Sequence, residues 1–151
     1  MLSLMSADLA QLHQLAERRL RDATLVYTKG RRELVELLAG LTRPATMLEL
    51  LELRPRLTQS SVYRNMTDLE IVGVVQKVVG ADDRTRYELA EELIGHHHHS
   101  ICTRCGVVDD FVVPARTEKT LEAALEKALS ESGFQLTGHR LDVIGVCASC
   151  G

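Results

Sequence analysis

The chain has 151 residues, 45% hydrophobic and 26% charged, with a formal net charge of −3, which is the composition of a soluble globular protein with one domain or two small ones. No apolar run is long enough to span a membrane, and residues 1–15 lack the cationic start, apolar centre and small-residue cleavage site of a secretion signal, so a cytoplasmic protein is expected. The acidic total argues against indiscriminate nucleic-acid binding, but residues 1–90 carry thirteen Lys/Arg against twelve Asp/Glu while residues 91–151 carry five against nine.

With no Trp and two Phe, the cores must be built mainly from Leu and Val. Leu9, Leu12, Leu15 or Ala16, and Leu20 recur at helical intervals and predict an amphipathic helix over residues 6–22. Arg18, Arg19, Arg21, Lys29, Arg31 and Arg32 then cluster in a way suited to phosphates, although a solvated helix face looks similar. A second helix over 30–40 follows from Leu34, Leu37, Leu38 and Leu41, with Gly40 at its end. Thr42–Pro44 break the chain. A third helix runs through Met47, Leu48, Leu50 and Leu51 and stops near Pro55. The segment 57–73 opens with hydroxylated capping residues and continues with Val62, Met66, Leu69 and Val72 on one face.

After Gly73 the period changes to two. Residues 74–79, a turn at 80–83 and residues 85–90 predict a β-hairpin. Short helices followed by a hairpin make a winged helix-turn-helix, in which the last helix enters the major groove of DNA. Ser60, Ser61, Tyr63, Arg64 and Asn65 near the start of that helix are residue types that face grooves and phosphates, and they favour DNA binding over a helical bundle with an idle hairpin. The remaining third reads as a strand at 107–113, a helix at 117–132 ended by Gly133, and one or two strands within 135–146. The expected fold class is therefore α+β: a winged helix followed by a small α/β unit. So small a unit is marginal alone and needs a metal and a partner subunit to complete its core.

Two Cys-x-x-Cys knuckles, Cys102/Cys105 and Cys147/Cys150, use every cysteine of the chain and suit a tetrahedral structural zinc. The alternatives are disulfides, rare in reducing compartments, or four unrelated core thiols. Directly before the first knuckle stand His96, His97, His98 and His99. On a strand their side chains alternate, so His96 and His98 would serve one metal site and His97 and His99 another. A solvated polar loop is the plainer reading.

The sequence resembles the ferric uptake regulator family of bacterial metal-responsive repressors from about Thr28 to Cys150. The likeness is carried by T-x-x-R at 28–31, SSVYRNMTDLEIVGVV at 60–75, RYEL at 86–89, HHHHSICTRCG at 96–106, the GF at 133–134, His139 and G-x-C-x-x-C at 145–150. The resemblance implies a winged-helix DNA-binding domain over 1–90, a hinge at 91–95 and a metal-binding dimerisation domain over 96–151. It implies a homodimer that binds an inverted-repeat operator in double-stranded DNA when loaded with metal, with Arg31 as well as the 60–65 residues at the DNA. It places structural Zn(II) on Cys102, Cys105, Cys147 and Cys150. It places the sensing site on Glu88, His97, His99 and Asp110, and a dimerisation-domain site on His96, His98, Glu122 and His139. Glu122 is assigned by its distance to Gly133, with an insertion after the first knuckle.

Two positions depart from the family's patterns. Pro44 stands where iron- and peroxide-sensing members carry a histidine, a role His13 could fill if the first helix folds back. Ala90 and Gln76 stand where zinc-sensing members carry a cysteine and an aspartate. The surviving nitrogen and oxygen donors suit Fe(II), Zn(II), Mn(II) or Ni(II), and the carboxylates at 88 and 110 tilt the reading towards iron. No membrane or small organic substrate is implied, and no enzyme: a zinc hydrolase would want a helix-borne motif such as H-E-x-x-H, which is absent. A zinc-stabilised protein-interaction module is the other alternative, and the VYRN helix argues against it.

Overall fold

Apolar periodicity decides the first half of the molecule, and the computed structural model, which describes residues 6–151, follows it closely. Helix α1 (Ser6–Asp22) buries Leu12, Ala16 and Leu20, spaced by four on one face. Helix α2 (Lys29–Ala39) starts at Thr28, whose hydroxyl accepts the Arg31 N–H, and buries Leu34, Val35, Leu37 and Leu38 before Gly40. A two-residue strand β1 (Ala45–Thr46), not foreseen, leads directly into α3 (Met47–Leu53). Thr46 and Glu49 form a reciprocal capping box there. Burial pushes the Glu49 carboxyl up, but the Arg43 guanidinium and Thr46 outweigh it and hold it at about 2. Helix α4 (Gln59–Ile71) is capped by the Thr58 hydroxyl and buries Val62, Met66 and Leu69.

Strands β2 (Val75–Val79) and β3 (Thr85–Leu89) form the hairpin, paired from Val75 with Leu89 to Val79 with Thr85, and β1 adds to the other edge of β3. Leu20, Leu34, Val35, Leu50, Val62, Leu69 and Val74 are wholly inaccessible to solvent, so one core joins all four helices to the root of the hairpin. This is the expected winged helix-turn-helix.

A helical turn, α5 (Glu91–Ile94), leads to the second sheet. Strand β4 (His98–Cys102) lies at its centre, antiparallel to β5 (Val108–Phe111) and parallel to β6 (Asp142–Gly145). Helix α6 (Ala115–Leu129) and a 3-10 turn (Ser130–Ser132) connect β5 to β6 and end at Gly133, whose φ of 70° suits glycine. Only 142–145 of the segment 135–146 is strand, and His96 and His97 precede β4 rather than belonging to it. This half is thinly packed. Helix α6 has no buried residue, and Phe134, Val143, Ile144 and Val146 are exposed.

The hairpin also rests on the second sheet. Val78, Ile101 and Val108 form a small buried cluster between them. Asp82 at the hairpin turn holds the buried Arg86 through two bonds of 2.8 and 2.9 Å. Gly106 of the first knuckle, at φ 74°, comes so close that a Cβ there would overlap the Asp82 side chain.

Candidate metal centres

Among the described residues three groups of four potential ligands converge, each with donor atoms within 4.8 Å of one another. The first joins the two knuckles. Strand β4 ends on Cys102, the turn after it carries Cys105, and the parallel pairing of β4 with β6 delivers Cys147 and Cys150 beside them. No disulfide forms. The sulfurs of Cys105 and Cys147 are 3.7 Å apart. That is close to the edge of about 3.8 Å that a tetrahedron of Zn–S bonds of about 2.3 Å requires. The backbone N–H of Cys147, 3.4 Å from the Cys102 sulfur, and that of Cys105 hold the Cys102 thiol down at about 6. Cys150, donating towards Cys147 and Cys105, is pushed up to about 12. A thiol held low at Cys102 beside thiols pushed up at Cys105 and Cys150 is a set in which a cation would replace protons.

The second group brings Glu88 of β3 to His99 and Asp110 of the second sheet and to His97 just before β4. His99 lies directly across the strand pair from Asp110, which explains why these two meet. Glu88 is 5% exposed. Its oxygens lie 3.2 Å from His97 Nε2 and 3.0 and 3.2 Å from His99 Nε2. Gln76, paired with Glu88 across the hairpin, donates to Glu88 Oε1 at 2.6 Å. Burial pushes the Glu88 carboxyl up, but the bonds from His97, His99 and Gln76 together hold it at about 2. The same bond lifts His97 to about 9 against the opposing effect of burial. Burial, with the charge of Glu88 behind it, raises Asp110 to about 6. The outer nitrogens are held as well: His97 Nδ1 meets the Gly95 carbonyl at 3.0 Å and His99 Nδ1 lies 3.4 Å from Asp142. Asp110 Oδ1 is buried with no hydrogen-bond partner. An orphaned carboxylate oxygen among imidazoles fits a divalent cation, since a buried polar atom otherwise needs a partner.

The third group is His96, His98, His139 and Glu118. Glu118 faces His96 Nε2 at 3.1 Å, His98 Nε2 at 3.0 Å and His139 Nε2 at 2.7 Å. His139 Nε2 is buried and, despite its nearness to Glu118, makes no hydrogen bond, so it too fits a cation. The acid here is Glu118, not Glu122. Glu122 lies one turn further along α6 and is exposed. Counting back from Gly133 stops one turn short of Glu118, because the 3-10 turn lengthens the path from helix to glycine. Both glutamates share a helix face, and counting forward from the first knuckle would have been the better guide.

The alternation of the histidine run thus separates His96 and His98 from His97 and His99 in space. His13 does not approach the second group, because its ring bonds the Tyr27 hydroxyl at 2.7 Å and lies 3.1 Å from Glu36. Pro44 is buried within the helical half.

On α4, Ser60, Ser61, Tyr63 and Arg64 are exposed and Asn65 is half-buried, with its amide against Gly30. Arg31 is corrected. It is buried, donates to the Val26 carbonyl and pairs with Asp68, so its guanidinium is not free for a phosphate. The basic cluster thins further, since Arg19 donates to the Gly73 carbonyl and Arg32 lies 4.8 Å over the Tyr27 ring.

A family model described as the ferric uptake regulator family matches residues 22–144. A ferric uptake regulation protein of Campylobacter jejuni is 32% identical over 87% of this chain and 83% of its own. The peroxide-responsive repressor PerR of Staphylococcus epidermidis is 27% identical over 97% of each chain. Among solved structures, the ferric uptake regulator of Helicobacter pylori, described as having three functional metal binding sites, superposes with a TM-score of 0.76 over 99% of this chain and 97% of that one, at 23% identity.

Proposed function

The chain belongs to the ferric uptake regulator family, whose members are metal-responsive transcription regulators and not enzymes, and from that premise we propose that it is a cytoplasmic repressor of metal-homeostasis genes that grips an inverted-repeat operator as a metal-loaded homodimer. The observation that carries the reading is the composition of the second group: Glu88 comes from the hairpin, whereas His99 and Asp110 come from the other sheet and His97 from the residue that leads into it. In this reading residues 1–90 bind DNA, 91–95 act as the hinge and 96–151 pair two subunits through the exposed apolar surface around Phe134, Val143 and Ile144.

Cys102, Cys105, Cys147 and Cys150 would hold a structural Zn(II), whose role is to knit β4 to β6. Glu88, His97, His99 and Asp110 would hold the sensed ion, and His96, His98, Glu118 and His139 a further one. A divalent cation supplies charge that neutralises the buried carboxylates and favours the arrangement in which hairpin and second sheet are joined. The donor set is nitrogen and oxygen without sulfur, and Fe(II) is favoured over Zn(II), with Mn(II) and Ni(II) chemically admissible. Glu88 fixes the hairpin relative to the dimer, and thereby the separation of the two α4 helices, whose Ser60, Ser61, Tyr63 and Arg64 face the major groove.

The test is anaerobic fluorescence anisotropy of the chain, knuckle zinc retained and other metals stripped, on DNA from its own upstream region at fixed salt. Fe(II), Zn(II) and Mn(II) are titrated separately at buffered free concentrations. Binding should tighten by at least about tenfold with Fe(II). Equal affinity with and without every metal would leave a DNA-binding protein that senses none of them.

A further inference from the structure

The histidine run divides between two groups, His96 and His98 in one and His97 and His99 in the other, but one carboxylate touches a member of each. Glu91, in the helical turn α5, lies between Glu88 and the histidine run. Its Oε1 is 2.6 Å from His96 Nδ1 and accepts the backbone N–H of His97 at 3.1 Å. The same turn reaches His97 a second time, because the Gly95 carbonyl meets His97 Nδ1 while the Gly95 N–H donates to the Glu91 carbonyl at 2.7 Å. His97 is therefore held at backbone and ring by α5, and α5 is held by His96 through Glu91.

The chemistry of imidazole gives this link a direction. His96 faces the Glu91 carboxylate with Nδ1 at 2.6 Å and the Glu118 carboxylate with Nε2 at 3.1 Å, so its ring stands between the third group and α5. A cation held at Nε2 adds positive charge to that ring and strengthens its attraction for the Glu91 carboxylate. Glu91 then keeps the His97 N–H in place, and the ordering that His97 needs to meet Glu88 has already been met. His98 has no such outer partner, since its Nδ1 is buried and unbonded. The connection between the two groups through their ring nitrogens therefore runs by way of His96.

We propose that Glu91 is a positioning residue that couples the two nitrogen–oxygen groups, so that occupation of His96, His98, Glu118 and His139 by a divalent cation raises the cation affinity of Glu88, His97, His99 and Asp110. The proposal rests on the reading that both groups take divalent cations. Because coupling is reciprocal, occupation of the second group strengthens the third by the same factor.

The test is a mutant cycle on the full chain with the knuckle zinc in place and Co(II) alone as the probe. Affinity at the Glu88 group is read from the hyperfine-shifted imidazole N–H resonances that Glu88→Ala abolishes. In the native chain, His139→Ala should weaken Co(II) binding at the Glu88 group by about fivefold or more, the lower end of ordinary coupling factors. In a Glu91→Ala background the same substitution should have no further effect. Glu91→Gln keeps the acceptor of the His97 N–H but not the charge that faces His96, so it should hold the His97 amide resonance in place and still lose the dependence, which a general loss of folding would not do. In the metal-free chain, Glu91→Ala should shift the His97 amide resonance. An equal effect of His139→Ala with and without Glu91, or no effect in either, overturns the coupling and leaves the sensing reading standing. A native chain that takes no Co(II) at the Glu88 group overturns both.

Discussion

Burial pushes the Glu88 carboxyl up, yet bonds from His97, His99 and Gln76 hold it at about 2, and the bond to Glu88 raises His97 to about 9. The two shifts act on stability in opposite pH ranges. The Glu88 contribution is present above its ordinary 4.5 and is lost as pH falls towards about 2. The His97 contribution is complete below its ordinary 6.5 and is lost as pH rises through about 9. Asp110, raised from 3.8 to about 6, favours its neutral form and costs stability as it ionises across that interval. The chain freed of metal at the second group should therefore lose thermal stability steadily from about pH 6.5 to 9, as scanning calorimetry across that range would record. Divalent metal should do the reverse. It displaces the His97 proton, so affinity should climb by about tenfold per pH unit over the same window for each proton released. A metal affinity flat from pH 6.5 to 9 would mean that His97 is not a ligand. The sequence already held these four residues, because alternation and a family likeness are enough to sort histidines. It did not hold Gln76, Glu91 or Asp142, whose roles depend on hairpin register, a helical turn in the hinge and a parallel strand pairing.

At the scale of elements, helices were legible because 3.6-period patterning buries one face of each, and the caps Thr28, Thr46 and Thr58 mark the starts of three of them. What could not be read was the side on which an isolated arginine falls. Arg31 sits in the first turn of α2, one helix face away from solvent, and its pair with Asp68 pins α2 to α4. Asp68 is partly open to solvent, which tempers the energy of the pair. Arg31→Ala strands Asp68, while the Val26 carbonyl keeps the Thr28 N–H, and should cost about 2–4 kcal/mol in urea unfolding. Arg64→Ala, on the exposed face of the same α4, should leave stability within about 0.5 kcal/mol while sharply weakening operator binding. If instead Arg31→Ala unfolds like the native chain and only loses DNA, the arginine belongs to the nucleic-acid face after all.

Across the whole molecule the two halves are unequally built. The helical half has a continuous core from Leu12 to Leu89, whereas the second sheet contributes little beyond Ile101, Cys102 and Val108 to any buried cluster, and Val78 of the hairpin completes that one. A sheet of three short strands with an uncovered helix cannot draw its stability from apolar burial alone, so the four cysteines must supply part of it. The knuckle also receives the hairpin turn, through Asp82 against Gly106 and the buried Arg86. Removing the knuckle metal should therefore do two things at once: dissolve β4–β6, and free the hairpin turn while its root remains packed on the helices. A strong chelator at neutral pH, or Cys147→Ser, should convert a single thermal transition into two, the lower one accompanied by loss of dimer and of protection at the Asp82–Arg86 amides in hydrogen exchange. The upper transition should keep the helical signal by circular dichroism. One concerted loss of helix and sheet would show that the halves fold as a unit and that the thin packing of the second sheet is sustained by the first.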